Sequence, residues 1–408
     1  MSVIDPFTAK ENPIVHRPVA STKRLEWLQK ITLRKILLKL HLYISLWLGL
    51  FLAIAGLTGS ILVYGEEIDH WLNSDILAVE VGSSLQPLQN ILATADQVSP
   101  IKHPAHHIQL PKHPDEALIV RYQVPHDGPG HNHHFHEVMV NPYNGQTLGH
   151  RDRNDSLINF ILRLHYKLLV DPFGKWLMGI TALLTLVLTI TGIYLWWPKT
   201  GKWLQALVIK RNASFTRFNF DLHKTVGIYT AVVLFAVSLS GFYFNFPDVF
   251  KPAVNVFSSV HEVPRAVKSK TIGTEALAYE TILSNAQLRF PNLQLQRLFL
   301  PVDANGSFMV SGKQPNETRS KGATMLWLDQ YSGEILTVRD PNQFAAGDAF
   351  INIQLPLHNG EILGTPGQIT VLIVGFAPLA LLITGIIHWL KKRASRRIHN
   401  QRLTAKTQ

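Results

Sequence analysis

The sequence contains no cysteine. That absence excludes structural disulfides, cysteine-ligated iron–sulfur clusters and the C-x-x-C-H attachment of c-type haem. No G-x-G-x-x-G run follows a strand-like segment, so the chain carries no recognisable nicotinamide or flavin domain. Charge is scarce as well. Asp, Glu, Lys and Arg make up 16% of the 408 residues, against about 25% in an average soluble protein.

The shortage is local. The windows His41–Tyr64, Trp176–Pro198, Thr225–Pro247 and Ile362–Leu390 contain none of the four charged residue types. Each is long enough for a bilayer core of about 30 Å, which takes roughly 20 helical residues. A lipid-exposed backbone must satisfy its own hydrogen bonds, so each window reads as a transmembrane helix. Basic residues orient them. Residues 1–40 hold eight Lys and Arg, the linker 199–222 five and the tail from Lys391 seven, together 20 of the 39. Four crossings put these three segments on one side, the cytoplasmic one, and the two long intervening segments outside. The net charge of +11 therefore reflects membrane topology rather than nucleic-acid binding. The tail "KKRASRRIH" is expected against anionic lipid headgroups. The first helix does not read as a cleaved signal, because forty residues precede it and no small-x-small site follows.

The chain also repeats itself. Aligning His41 with His223 brings Gly59 onto Gly241 without a gap, and aligning His165 with His358 brings Thr191-Gly192 onto Thr384-Gly385. The outer segments repeat too, with "VMVNPYNGQTLG" over "LWLDQYSGEILT" and Gly145 on Gly333. Two copies of one unit, each crossing the membrane an even number of times, are parallel and related by a pseudo-twofold axis along the membrane normal. Within the outer segments "FHEVMVNP" and "TMLWLDQ" read as strands. Pro142–Gly145 and Gln330–Gly333 read as turns, and "IGTEALAYETILSNAQLRFP" as a helix ending before Pro291.

The expected architecture is an α+β membrane protein with four transmembrane helices and two small α+β domains on the outer face. The chain divides into a basic N-terminal segment (1–40), helix 1 (41–65), a first outer domain (66–164), a histidine segment with helix 2 (165–198) and a linker (199–222). Helix 3 (223–247), a second outer domain (248–357), a histidine segment with helix 4 (358–390) and a basic tail (391–408) follow.

Four histidines follow a leucine at repeat-related positions: His41, His165, His223 and His358. His41 and His223 open helices 1 and 3 on the cytoplasmic side, and His165 and His358 precede helices 2 and 4 on the outer side. Imidazole is an axial ligand of haem iron. Two symmetric pairs in an apolar bundle, with glycines to admit a flat ring, suit two bis-histidine b-type haems, held without covalent attachment and stacked inner over outer. A single histidine near a helix end is more often an interfacial group; the fourfold recurrence favours ligation. His388, whose repeat mate is Leu195, is a fifth candidate. Arg163, Lys167 and Lys224 are candidate partners for haem propionates, or else interfacial cations.

With these residues in view the chain resembles the PepSY-associated transmembrane-helix family, which includes iron-regulated inner-membrane siderophore reductases. The resemblance is carried by "KLHLYISLWLGLFLAIAGLTGSILVY", "RLHYKLL" with "TGIYLWWPK", "DLHKTVGIYTAVVLFAVSLSG" and "LPLHNGEILG" with "TGIIHWLKK". "VNPYNGQTLG" and "LDQYSGEIL" look like the PepSY signature. It implies a bacterial inner-membrane protein with both termini cytoplasmic, two periplasmic PepSY-like domains and haem b on His41, His165, His223 and His358. The activity it implies is reduction of a ferric siderophore or other ferric chelate, with electrons from quinol or a separate cytoplasmic reductase. Two other readings stay open: a non-redox siderophore- or metal-binding accessory to transport, and a PepSY-type regulator of an envelope protease.

One loop stands apart. Nine of the nineteen histidines fall between 103 and 136. His106, His107, His131, His133, His134 and His136 are candidate donors for copper, zinc or iron. A solvated loop that binds metal adventitiously has the same composition, and the second half of the chain has no counterpart.

Overall fold

The computed structural model of the chain describes residues 32–125, 134–198, 201–264, 266–270 and 275–407. Four helical stretches are long and apolar enough to cross a membrane: span 1, Leu33–Leu62; span 2, Phe173–Trp196; span 3, Phe215–Asn245; and span 4, within Glu361–Ala405. Spans 1 and 3 start well before the uncharged windows, at Leu33 and Phe215. The charge-free criterion marks the lipid core, whereas a helix runs on through the headgroup layer, where Lys and Arg are tolerated. His41 and His223, expected at helix mouths, therefore lie about two turns inside their helices.

Span 4 is interrupted at Gly375-Phe376, between helices Gly364–Val374 and Ala377–Thr407. At that break it packs tightly on span 1. A Cβ on Gly56 would collide with the Gly375 carbonyl, and one on Gly375 with Ser60. The Ser60 hydroxyl donates to the Leu372 carbonyl at 2.8 Å across the contact. Small residues at such a crossing let two backbones approach within van der Waals reach.

The segments between spans 1 and 2 and between spans 3 and 4 each supply four strands. These are β1 His107–Gln109, β2 Leu118–Gln123, β3 Phe135–Val140 and β4 Thr147–Asp152, then β5 Gln294–Phe299, β6 Ser307–Lys313, β7 Thr324–Asp329 and β8 Ile335–Arg339. They do not form two separate sheets. The order is β4-β3-β2-β1-β5-β6-β7-β8 in a single antiparallel sheet, with His107 opposite Phe299 and Gln109 opposite Arg297 at the junction. The exposed edges of β1 and β5 would each leave unpaired backbone groups, and joining them satisfies both. One core follows. Helices Leu88–Val98 and Tyr279–Arg289 pack on one face, where Ile91, Ala95, Ile282 and Ala286 meet Val120, Val138, Leu298 and Leu326. The two expected turns are present, with Gly145 at φ 74° and Gly333 at φ 70°. Asn141 and Asp329 cap them by accepting from the backbone N–H two residues on, at 2.9 Å each.

The opposite sheet face turns toward the ends of the spans. There Arg151 pairs with Asp69, and Lys112 and Lys321 pair with Glu66. Both acids lie on helix Gly65–Leu72, immediately after span 1.

Candidate functional site

The four Leu-His histidines occupy four copies of one local arrangement. His41 on span 1 meets Thr191-Gly192 on span 2. His165, on the amphipathic helix Leu157–Lys167, meets Thr58-Gly59 on span 1. His223 on span 3 meets Thr384-Gly385 on span 4, and His358, on helix Gln354–Asn359, meets Ser240-Gly241 on span 3. In each case Nδ1 lies against the hydroxyl oxygen, at 2.9 Å for His41, 3.0 Å for His165, 2.9 Å for His223 and 2.9 Å for His358. In each case the ring edge lies over the glycine. A Cβ there would stand 3.3 Å from Cε1 of His41, 3.1 Å from that of His165, 3.5 Å from that of His223 and 3.6 Å from that of His358. At Gly59 and Gly192 a Cβ would be tighter than an ordinary contact, so glycine is what lets His165 and His41 lie close on the neighbouring helix; at Gly241 and Gly385 it would make an ordinary van der Waals contact.

The hydrogen-bond pattern fixes the tautomer. Each hydroxyl already donates its one proton to the carbonyl four residues earlier: Thr191 to Val187 at 2.7 Å, Thr58 to Ile54 at 2.6 Å, Thr384 to Ala380 at 2.7 Å and Ser240 to Ala236 at 2.8 Å. The hydroxyl oxygen is left as an acceptor, so Nδ1 carries the proton and donates it. Carbonyls three residues before each hydroxyl face the same nitrogens. Those of Ala55 and Val237 lie 3.0 Å from His165 and His358, and those of Leu188 and Leu381 face His41 and His223. A carbonyl can only accept, which gives the same tautomer. All four Nε2 atoms therefore present a lone pair, and among the described residues no protein group hydrogen-bonds to any of them. Histidines that bind metals share this pattern, with one ring N–H anchored and the other nitrogen free.

The rings come together in pairs. His165 and His358 have centroids 5.9 Å apart at an interplanar angle of 75°. At that spacing the two imidazoles would be able to hold a single metal centre between them. His41, His223 and His388 belong to one neighbourhood. Asn219 ties spans 3 and 4 together beside it, donating to the Thr384 carbonyl at 2.8 Å.

A family model described as PepSY-associated TM region matches residues 38–392. The chain belongs to this family. No curated protein matches it. The match begins just before His41 and ends just after His388, so the PepSY-associated region contains all four cradles, spans 2 and 3, most of span 1, the apolar part of span 4 and the whole sheet. The chain is a multi-pass membrane protein of the PepSY-associated type.

The structure also places the remaining candidate residues. His388 packs against Phe220 with ring centroids 5.5 Å apart in a tilted arrangement, and its Nδ1 is buried without a hydrogen-bond partner among the described residues. It has no hydroxyl–glycine cradle and differs in this from the other four. Lys167 pairs with Asp171 at 2.9 Å and Lys224 with the buried Asp221 at 3.3 Å. Arg163 keeps Nε buried and without a hydrogen-bond partner among the described residues. The way His165 is presented depends on the turn after it. Leu168 and Leu169 both adopt positive φ, 51° and 61°, and Gly174 packs against the Lys167 carbonyl with no room for a Cβ. In the other half Gly360, at φ 85°, performs the reversal after His358.

In the histidine-rich segment His131 and His133 lie outside the described residues. His106 and His107 bond each other through Nδ1 at 2.8 Å, His136 Nε2 lies 3.2 Å from His150 Nδ1, and His134 pairs with Asp152. Burial, aided by the neighbouring Arg121, pushes His107 down to about 2, so it is a neutral group at any physiological pH. Among the described residues no three His, Asp or Glu side chains converge on a metal position.

The hydroxyls were the residues that reading by type passed over. Their signal is present in the sequence: among the glycines of the spans, Gly59, Gly192, Gly241 and Gly385 each follow Ser or Thr, whereas Gly56 and Gly227 follow Ala and Val.

Proposed function

We propose that the chain is a duplicated, pseudo-twofold di-haem b protein of the bacterial inner membrane that reduces ferric siderophores, or chemically similar ferric chelates, on the periplasmic side. The observation that carries this reading is the fourfold cradle, which anchors Nδ1 and leaves Nε2 free on two pairs of imidazoles. In this reading His41 and His223 hold the cytoplasmic-side haem and His165 and His358 the periplasmic-side one, with both chain termini cytoplasmic. The donor set fits: neutral, Nε2-presenting imidazoles in pairs, each seated beside a glycine. Bound there, haem b supplies a one-electron couple at each pair.

The protein's own contribution is orientation and insulation. Thr58, Thr191, Ser240 and Thr384 each hold their ring in one tautomer and one orientation, and the surrounding apolar spans exclude water and bias the potentials. In the net reaction each Fe(III) takes one electron and becomes Fe(II). With quinol as donor, one quinol goes to quinone, releases two protons and supplies two ferric chelates; a separate cytoplasmic reductase would supply the same electrons one at a time. The oxygen donors of the chelate hold ferrous ion more weakly, so iron is released without any nucleophile or proton transfer from the protein.

The test uses purified full-length protein, reduced anaerobically, mixed with a ferric chelate and a ferrous-specific chromophore. Reoxidation matched by stoichiometric ferrous iron is the expected result. Reoxidation by oxygen alone, with no ferrous product from any chelate, sinks the reading. Thr384→Val tests the anchoring role. It keeps shape but removes the hydroxyl acceptor of His223 Nδ1, leaving only the Leu381 carbonyl, and haem affinity at that site is expected to fall about 10–100-fold. Thr370→Val lies on the same span, where the hydroxyl bonds only the Pro366 carbonyl, and is expected to leave affinity unchanged.

A further inference from the structure

The sheet face turned toward the spans carries more positive charge than its carboxylates balance. Arg121, Glu137 and Arg151 stand side by side across β2, β3 and β4, and Arg297 lies on β5 opposite Gln109 of β1. Glu137 is 1% exposed and is shared by Arg121 at 2.8 Å and Arg151 at 2.9 Å, while Arg151 also binds Asp69 at 2.7 Å. Lys112 and Lys321 share Glu66. Two guanidinium groups are left over. Arg153 reaches Glu137 only at 3.9 Å. Arg297 has no carboxylate partner among the described residues, and its guanidinium stands 5.9 Å from the Phe299 ring centroid. Six cations thus meet the three carboxylates Glu66, Asp69 and Glu137 in one partly buried group, and the charges next outward, Arg319 with Glu361 and Glu317, reduce the excess to two without pairing Arg153 or Arg297. Burial first, and the charge of Arg121 next, hold both Arg153 and Arg297 below the ordinary arginine range, although each stays protonated at neutral pH.

The group sits over the end of the bundle that carries His165 and His358. Arg153 opens the turn that leads into the helix bearing His165. Ser320, next to Lys321, donates from both its backbone N–H and its hydroxyl to Glu361, three residues past His358. A desolvated excess of guanidinium is costly by itself and is offset when an anion supplies the missing acceptors.

We infer that the sheet face around Arg153 and Arg297 is a binding site for a polyanionic oxygen-donor ligand, a ferric chelate bearing several negative charges. That this ligand is the substrate rests on the reductase reading, whereas its binding does not. Binding is therefore measured without electron transfer. The probe is the triply negative gallium(III) tris-catecholate complex, used in equilibrium dialysis against full-length protein in nanodiscs of zwitterionic lipid.

Saturable binding is expected, weakened by salt and weakened roughly tenfold by Arg297→Gln, as for loss of a charge-assisted hydrogen bond. A neutral gallium tris-hydroxamate complex is expected to bind at least about tenfold more weakly. Arg153→Gln gives the same reading if the first variant fails to elute as a monodisperse protein, and Lys251→Gln, paired elsewhere with Glu262, is expected to bind like wild type. Equal binding of neutral and triply charged complexes, or unchanged affinity in both arginine variants, overturns the site. Loss of haem from either variant assigns the arginines to propionates instead, and displacement of the probe by phosphatidylglycerol in the disc assigns them to lipid headgroups; either result overturns the inference. Charge-selective gallium binding without any electron delivery to the ferric complex leaves this site standing and removes the reductase reading.

Discussion

His223→Ala is expected to halve the haem content of the purified protein and to abolish reduction of a ferric chelate from the cytoplasmic side. The ring is anchored through Nδ1 to Thr384 and presents Nε2 toward the space shared with His41. Alanine removes the ligand and leaves the hydroxyl–glycine seat vacant. The other pair, His165 and His358, is built from different helices and different hydroxyls, so its haem is expected to remain. The measurement is haem extracted per polypeptide together with the reduced-minus-oxidised spectrum. Equal loss of both haems would show that the two pairs are not independent sites. The presence of His388 beside this pair sharpens the comparison. If His388 substituted as ligand, His223→Ala would retain haem, and the double replacement of His223 and His388 would be needed to remove it.

The second large effect concerns the sheet. Glu137→Gln is expected to destabilise the protein by about 3–5 kcal/mol, because removing one member of a buried ion-pair group leaves the others uncompensated. Glu137 is 1% exposed and accepts from both Arg121 and Arg151. Burial is the largest influence on its carboxyl and opposes ionisation, yet Arg121, Arg151 and Arg153 together outweigh it and hold the pKa below the ordinary 4.5. A folded-state pKa below the unfolded value contributes stability that is present above the unfolded value and lost as pH falls through the folded one. Wild-type protein is thus expected to lose this contribution as pH drops below about 4.5. Glu137→Gln, having lost it already, is expected to show a flatter acid limb. Thermal unfolding across a pH series checks both points. A melting temperature unchanged by the substitution at neutral pH would show that the arginines find other partners.

The membrane part of the fold was legible because lipid imposes one rule that sequence cannot evade. A spanning helix must be free of charge over its core, and four windows were. The ends were less legible, since Lys and Arg are tolerated at the headgroup level, and this is why His41 and His223 proved to lie inside their helices. The strands β3 and β7 and their glycine turns were readable from alternation and turn chemistry. Their union into one sheet was not. An edge strand has no side-chain mark that says which other edge it pairs with, and β1, only His107–Gln109, gave too short a pattern to be noticed. The four histidines stood out in the sequence because each follows a leucine at a recurring position. The hydroxyls that orient them were hidden because Ser and Thr inside membrane helices normally bond their own backbone, as these four also do. Only the three-dimensional pairing shows that their oxygen accepts a second hydrogen bond. The cationic sheet face was hidden for a similar reason: Arg121, Arg151 and Arg297 each read as an ordinary polar position on an alternating strand until register set them together.

The central assignment is haem ligation by two cradled histidine pairs, and dithionite-reduced spectra with haem quantification on the purified full-length protein test it most directly. A b-type spectrum with close to two haems per chain, lost on replacing all four of His41, His165, His223 and His358, is the expected result. Protein that is folded and monodisperse yet binds no haem, or that keeps its haem when all four histidines are replaced, contradicts the assignment.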